Sequence, residues 1–92
     1  MLRPDARFRA RQGLVVSTKG DARYMTDLGT GEVWELNETA ALLFESAGRG
    51  LPLGEVAALL AARFPEVPRE EVQRDAEELL DELVRMGLLE PA

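Results

Sequence analysis

The sequence contains neither histidine nor cysteine. Without cysteine it can form no disulfide and no thiolate metal site, and without histidine it lacks the most common metal ligand and the most common general base. Ser17 and Ser46 therefore have no histidine to activate them, and the one lysine, Lys19, lies in a predicted turn. No catalytic set can be assembled from these residues. We expect a protein that is not an enzyme and that holds no metal or cofactor.

Long hydrophobic runs are also missing. No apolar segment approaches the roughly 20 residues that a membrane-spanning helix requires. The N-terminus does not combine a basic start with an apolar run of signal-peptide length. We therefore expect a cytoplasmic protein with no membrane partner.

Positive charge is scarce in the second part of the chain. Residues 1–36 carry six basic and five acidic side chains, whereas residues 37–92 carry five basic and twelve acidic ones, so that the net charge is −6. An acidic surface repels phosphate. Nucleic acid is therefore a poor partner for the second part.

The first part of the chain predicts β-structure. Segments rich in β-branched and aromatic residues follow an extended lead-in at Ala6–Arg11, and short glycine turns separate them. This pattern predicts a three-stranded antiparallel meander with strands at Leu14–Thr18, Arg23–Leu28 and Glu32–Leu36.

The sequence of the second part of the chain predicts three helices. Asn37 follows the third strand directly and can cap a helix with its side-chain oxygen, and Gly87 can end the last helix. Apolar residues at three- and four-residue steps predict helices over about 37–47, 52–64 and 68–86. We therefore expect one α+β domain over 1–92, of winged helix-turn-helix type, with its sheet at about 6–36.

One strand and one helix stand out as a candidate binding site. Glu32–Leu36 is the third strand of an up-down-up meander, so it lies at a sheet edge with unpaired backbone groups. The third helix has an apolar side that is longer than a three-helix core requires. If the two elements are neighbours, they form a groove suited to an extended peptide.

The run Tyr24–Leu43, YMTDLGTGEVWELNETAALL, resembles the PqqD-like domains, also called RiPP recognition elements. The pattern of that family is a glycine turn followed by an aromatic residue, Leu-Asn, a polar pair and an apolar helix. The residues that fill this pattern here are Gly31, Trp34, Leu36, Asn37, Thr39 and Ala40. Phe64, Pro68 and Gly87-Leu88-Leu89 extend the resemblance, which covers roughly residues 12–90. Val67 departs from it, since many relatives have Asp before this proline.

The resemblance implies a non-catalytic function. PqqD-like domains bind the leader segment of a ribosomally made precursor peptide, and a chain of this size is most similar to those of lasso-peptide pathways. The implied partners are the precursor leader peptide, a separate leader peptidase and an ATP-dependent cyclase. The leader is expected to add as a strand to Glu32–Leu36 against the third helix, with Trp34 and Leu36 serving the core.

The resemblance and the groove together predict the binding residues. Val33 and Glu35 are expected as pocket walls on the strand, and Arg74 and Asp75 are expected to pair with leader charges at the rim. The predicted walls on the helix are Val72, Ala76, Leu79 and Leu83.

Two alternative functions share this layout. A winged helix that binds DNA would place its third helix in the major groove, but Pro68–Met86 has seven acidic and three basic residues. A dimerisation or adaptor module would pair its edge strand with a second copy, giving a homodimer.

Overall fold

The computed structural model describes residues 3–92, so Met1 and Leu2 of the predicted domain lie outside the described residues. Five short strands and three helices follow one another in the order β1 (Phe8–Ala10), β2 (Leu14–Lys19), β3 (Ala22–Asp27), β4 (Val33–Leu36), α1 (Glu38–Gly48), α2 (Leu53–Arg63), α3 (Arg69–Arg85) and β5 (Leu89–Pro91). The predicted α+β class, with a three-stranded antiparallel sheet followed by three helices, is confirmed.

The larger sheet has the strand order β2-β3-β4 and is antiparallel throughout. Lys19 is paired with Ala22, so the first hairpin has a two-residue turn. Gly20 occupies the first turn position with a φ of 62°, a conformation that glycine adopts without steric cost and that suits a tight hairpin. The predicted meander is therefore present.

A second, two-stranded sheet joins the ends of the chain. Phe8 of β1 is paired with Pro91 of β5, and Arg9 forms an ion pair with Glu90 at 3.1 Å. The sequence predicted an extended lead-in here but no strand at the C-terminus. Backbone pairing between segments so far apart in the chain leaves no local pattern, which explains why periodicity did not show it.

The helices begin and end within one residue of their predicted bounds. Asn37 caps α1 as predicted, because its Oδ1 accepts a hydrogen bond from the Ala40 N–H at 2.7 Å. Pro68 precedes α3 without a side-chain cap. Since Pro68 occupies the N-cap position and its side chain has no hydrogen-bonding atom, the first turn of α3 has no side-chain cap.

The hydrophobic core lies between the helices and the inner face of the larger sheet. Met25, on the central strand, is fully buried, as are Leu43 of α1 and Leu80 of α3. Phe8 of β1 and Leu89 of β5 belong to the same buried cluster, so the small sheet packs against this core as well. The sheet is thus covered by helices on one face, and its opposite face remains free within residues 3–92.

No helix within residues 3–92 is long and apolar enough to cross a membrane.

Candidate functional site

The outer edge of β4 is open in the described part of the chain. β4 pairs with β3 on one side only, and the C-terminal strand β5 pairs with β1 instead of covering it. An edge of this kind presents unpaired N–H and C=O groups to which another chain can bind.

The register shows which backbone groups of β4 are free. The Asp27 N–H donates to the Glu32 carbonyl at 2.9 Å, and hydrogen-bonded and non-hydrogen-bonded pairs alternate along an antiparallel ladder. Because Thr26 is opposite Val33, Val33 belongs to a non-hydrogen-bonded pair, and so does Glu35. The N–H and C=O groups of Val33 and Glu35 therefore point away from β3, toward the open edge.

Side chains of β4 alternate between the two faces of the sheet. Trp34 and Leu36 are partly buried and pack against the core on the helix side, as expected. Val33 is 59% exposed and Glu35 is also exposed, so both lie on the face opposite the helices. Their predicted role as pocket walls facing the third helix is therefore wrong, although their backbone forms the open edge.

Three of the predicted walls on α3 are core residues. Val72, Ala76 and Leu83 are each at least 94% buried. Val72 and Ala76 nevertheless line part of a pocket among the helices, whereas Leu83 does not, so that only Leu83 is a core residue without a place in the predicted groove. Leu79 is partly buried and remains accessible from solvent. The apolar side of α3 therefore serves mainly the core.

Arg74 and Asp75, the predicted rim residues, are both exposed on α3. Adjacent residues are about 100° apart around an α-helix, so the two side chains cannot face the same groove. Asp75 lines a pocket, whereas Arg74 is on another side of the helix.

The pocket, of about 210 Å³, lies where the three helices meet. Its apolar walls come mainly from the end of α2, the following loop and the first half of α3, and Asp75 and Thr39 contribute polar atoms. Thr39 is three residues beyond the last residue of β4, so the pocket lies near the end of the open strand. Its lining residues are Thr39, Leu60, Phe64, Val67, Val72, Asp75 and Ala76.

Most of these pocket residues were not predicted as a site. Thr39 and Phe64 were singled out only for the family resemblance, and Val67 only as a departure from it. The signal that could have found the pocket is the proline break at residues 65–68, which holds apolar side chains at the junction of two helices. Val67 supplies one apolar wall of the pocket.

Asp27 holds the turn that leads into β4. Its Oδ1 accepts from the Gly29 N–H at 2.8 Å and from the Thr30 N–H at 3.3 Å, and its Oδ2 accepts from Arg11 Nη2 at 2.6 Å. The Gly29 hydrogen bond, with smaller contributions from Thr30 and Arg11, lowers the pKa of Asp27 below the usual 3.8 despite the opposing effect of desolvation. The charged carboxylate thereby fixes the direction in which β4 begins.

Among residues 3–92 no group of acidic side chains is placed to hold a metal ion, and the polar atoms at the pocket belong to one carboxylate and one hydroxyl. We use the name strand–helix groove for the free edge of β4, the pocket and the side of α3 that carries Leu79.

Comparisons with known proteins point to one family. The family described as "Coenzyme PQQ synthesis protein D (PqqD)" matches residues 24–89, and these residues include β4, the three helices and the pocket. No curated protein matches the sequence closely.

Two solved structures have the same fold. "Lasso peptide synthetase B1 complexed with the leader peptide" is 32% identical, with a TM-score of 0.76 over 91% of this chain and 98% of that chain. "TbiB1 in Complex with the TbiA(beta) Leader Peptide" is 23% identical, with a TM-score of 0.74 over 89% of this chain and 94% of that chain, and it shows the shared fold alone. With the family match over well over half of its length and this likeness to lasso peptide synthetase B1, the chain belongs to the PqqD family.

Proposed function

We propose that the protein binds the leader segment of a ribosomally synthesised precursor peptide, of the lasso class, by strand addition to β4. The observation that carries the proposal is the open edge of β4 with an apolar pocket near its end. Strand addition supplies affinity through main-chain hydrogen bonds and specificity through pockets for alternate side chains. The likeness to lasso peptide synthetase B1, which was solved with a leader peptide, supports this choice of ligand.

The backbone of β4 by itself is insufficient for tight binding. Each new hydrogen bond contributes about 0.5–1.5 kcal/mol net, so bonds to both free groups of Val33 and of Glu35 contribute about 2–6 kcal/mol. Association costs roughly 4–15 kcal/mol in lost freedom. Side chains in the groove must supply the difference, and one fully buried leucine or phenylalanine contributes about 1.5–3 kcal/mol. We therefore expect the pocket to decide which leaders bind.

The protein acts in this proposal as an adaptor and not as an enzyme. It holds the leader in an extended form and presents the attached precursor to a separate leader peptidase and an ATP-dependent cyclase. The opposite face of the larger sheet, uncovered within residues 3–92, leaves room for such partners while the groove is occupied.

A fluorescence titration tests the proposal directly. Trp34 is the one tryptophan of the chain and is partly exposed on the helix side of β4. We expect its emission to shift to shorter wavelength as the leader covers the groove, with the leader peptide of the lasso peptide synthetase B1 complex as the probe and a scrambled version of that peptide as the control. Equal responses to leader and scrambled peptide would contradict the proposal.

Sedimentation velocity separates peptide binding from self-association. If β4 pairs with a second copy instead, the sedimentation coefficient will rise with protein concentration and fall when leader is added. A monomer at all concentrations that shifts only on addition of the leader agrees with the proposed function.

A further inference from the structure

The larger sheet has a second open edge, on β2. This strand pairs with β3 on one side, and no other strand of residues 3–92 pairs with it. The Leu28 N–H donates to the Gly13 carbonyl at 2.8 Å, so every second residue from Gly13 onward belongs to a hydrogen-bonded pair with β3. The N–H and C=O groups of Leu14, Val16 and Thr18 therefore point away from β3, toward the open edge.

The edges of the smaller sheet are closed or protected. β1 lies against the end of α1, with Gly48 beside Ala10. On β5 the Ala92 N–H donates across the ladder to β1, so its neighbour Pro91 occupies an outward position, where proline offers no N–H. Proline is one of the devices that keep sheet edges from pairing with other chains. β2 has no proline, no bulge and no charged residue before Lys19 at its end, so its edge is unprotected.

The sequence of β2 is suited to pairing with a second copy of itself. In an antiparallel alignment about Val16, the outward residues of the two copies match, with Val16 opposite Val16 and Leu14 opposite Thr18. Each of these pairs exchanges two backbone hydrogen bonds, so six bonds form across the two-fold axis. Leu14 and Val16 are only partly buried within one copy. Each gains an apolar or β-branched neighbour on the opposite strand, and such cross-strand pairs stabilise a sheet.

Charge favours β2 over β4 as the edge for self-association. Lys19 is the one charged residue of β2 and lies at its end, so the ammonium groups of two antiparallel copies are at opposite ends of the paired strands. Glu32 and Glu35, by contrast, lie beside and within the four-residue strand β4. Pairing β4 with a second copy would bring together two carboxylates from each chain, and like charges on neighbouring strands are destabilising. A second copy therefore fits β2 and not β4.

We propose that two copies of the chain associate through β2 about a two-fold axis and form one six-stranded antiparallel sheet, in the order β4-β3-β2-β2-β3-β4. Both β4 edges remain free at the two ends of this sheet, about 24 Å apart at the usual strand spacing. The dimer therefore offers two separate sites for an added strand. A contact between two strand edges is small, and small interfaces belong to transient assemblies, so we expect a Kd between about 1 μM and 1 mM.

Sedimentation velocity on two edge variants tests the inference. T18P removes an outward N–H from β2, and with it two of the six hydrogen bonds across the axis, whereas V33P makes the same change on β4. We expect the sedimentation coefficients of the wild type and V33P to rise alike between about 1 μM and 1 mM, and T18P to dimerise at least tenfold more weakly.

Three results would overturn the inference. A wild-type chain that stays monomeric over this range would do so and leave the proposed function intact. Dimerisation lost in V33P but kept in T18P would assign self-association to β4. Dissociation of the wild-type dimer by the leader peptide of the lasso peptide synthetase B1 complex would show that peptide and second copy compete for one edge.

Single cysteines test the alignment of the two strands, because the chain has no cysteine of its own. Val16 is opposite Val16 of the second copy, and the Cα atoms of hydrogen-bonded partners are about 5.5 Å apart, which a disulfide can bridge. The two copies of Thr18 are four residues out of register, or roughly 13 Å apart. Under a mild oxidant V16C should therefore form the disulfide-linked dimer at least tenfold faster than T18C, although Thr18 is the more exposed residue. Equal rates, or a faster reaction of T18C, would overturn the inference, including where T18P fails to fold.

Discussion

Replacing Val33 by proline tests strand addition at a position whose backbone N–H faces the open edge of β4. The Val33 N–H points to the open edge and takes no part in the β3–β4 ladder, and its side chain is 59% exposed. Proline removes that donor and places a ring where the added strand would lie. Because edge strands tolerate proline, the fold should remain largely intact.

The expected loss follows from the bonds at this position. The missing hydrogen bond accounts for about 1 kcal/mol, and a carbonyl of the added strand that is left buried without a partner costs about 1–3 kcal/mol more. Together these amount to about 2–4 kcal/mol, or roughly a thirty- to thousandfold weaker Kd. A fluorescein-labelled leader peptide followed by anisotropy covers that range.

A matched control exists on the other edge of the same sheet. Thr18 of β2 is exposed and, because it is opposite Arg23, also lies in a non-hydrogen-bonded pair. T18P therefore introduces the same change at the opposite edge of the sheet, and its affinity should stay within about twofold of the wild type. Circular dichroism and thermal unfolding check that both variants are folded. A folded V33P variant with unchanged affinity would refute strand addition to β4.

Three further outcomes are expected. L79R should weaken leader binding at least tenfold by obstructing the groove while keeping the fold, since Leu79 is only partly buried; loss of the helical circular-dichroism signal would instead assign Leu79 to the core. Because the pKa of Asp27 is lowered in the folded state, the unfolded state binds more protons in the acid range. The stability that this carboxylate contributes should therefore be fully present above about pH 5 and be lost as the pH falls through the folded-state pKa. Urea unfolding at a series of pH values should show this fall in the wild type and a weaker dependence in D27N. N37A should lower the free energy of unfolding by about 1 kcal/mol, since it removes the cap of α1, and an unchanged urea midpoint would contradict that role.

The elements of the fold could be predicted because their causes are local. Glycine turns mark the ends of the hairpins, Asn37 caps the helix that follows it, and the spacing of Val72, Ala76, Leu80 and Leu83 defines the inner face of α3. Each of these signals acts over a few residues. These signals can therefore be identified from one sequence without an alignment.

The faces of the site were predicted less well. The open edge at Glu32–Leu36 follows from strand order, and that prediction agrees with the observed topology. The alternation that directs Trp34 inward also directs Val33 and Glu35 outward, which the sequence prediction overlooked. Likewise, apolar residues on α3 are equally suited to a core and to a groove, and only packing shows that three of them are buried.

By itself, the sequence determined the strands, the helices, the acidic character of the second part and the resemblance that indicated a peptide partner. Tertiary structure alone decided that β5 pairs with β1 and leaves β4 free, and that Thr39, Phe64 and Val67 meet in one pocket. The physical reason is the distance along the chain over which each interaction acts. Turns, caps and hydrophobic periodicity depend on near neighbours in the sequence, whereas an open edge and a pocket depend on which distant segments come together in three dimensions.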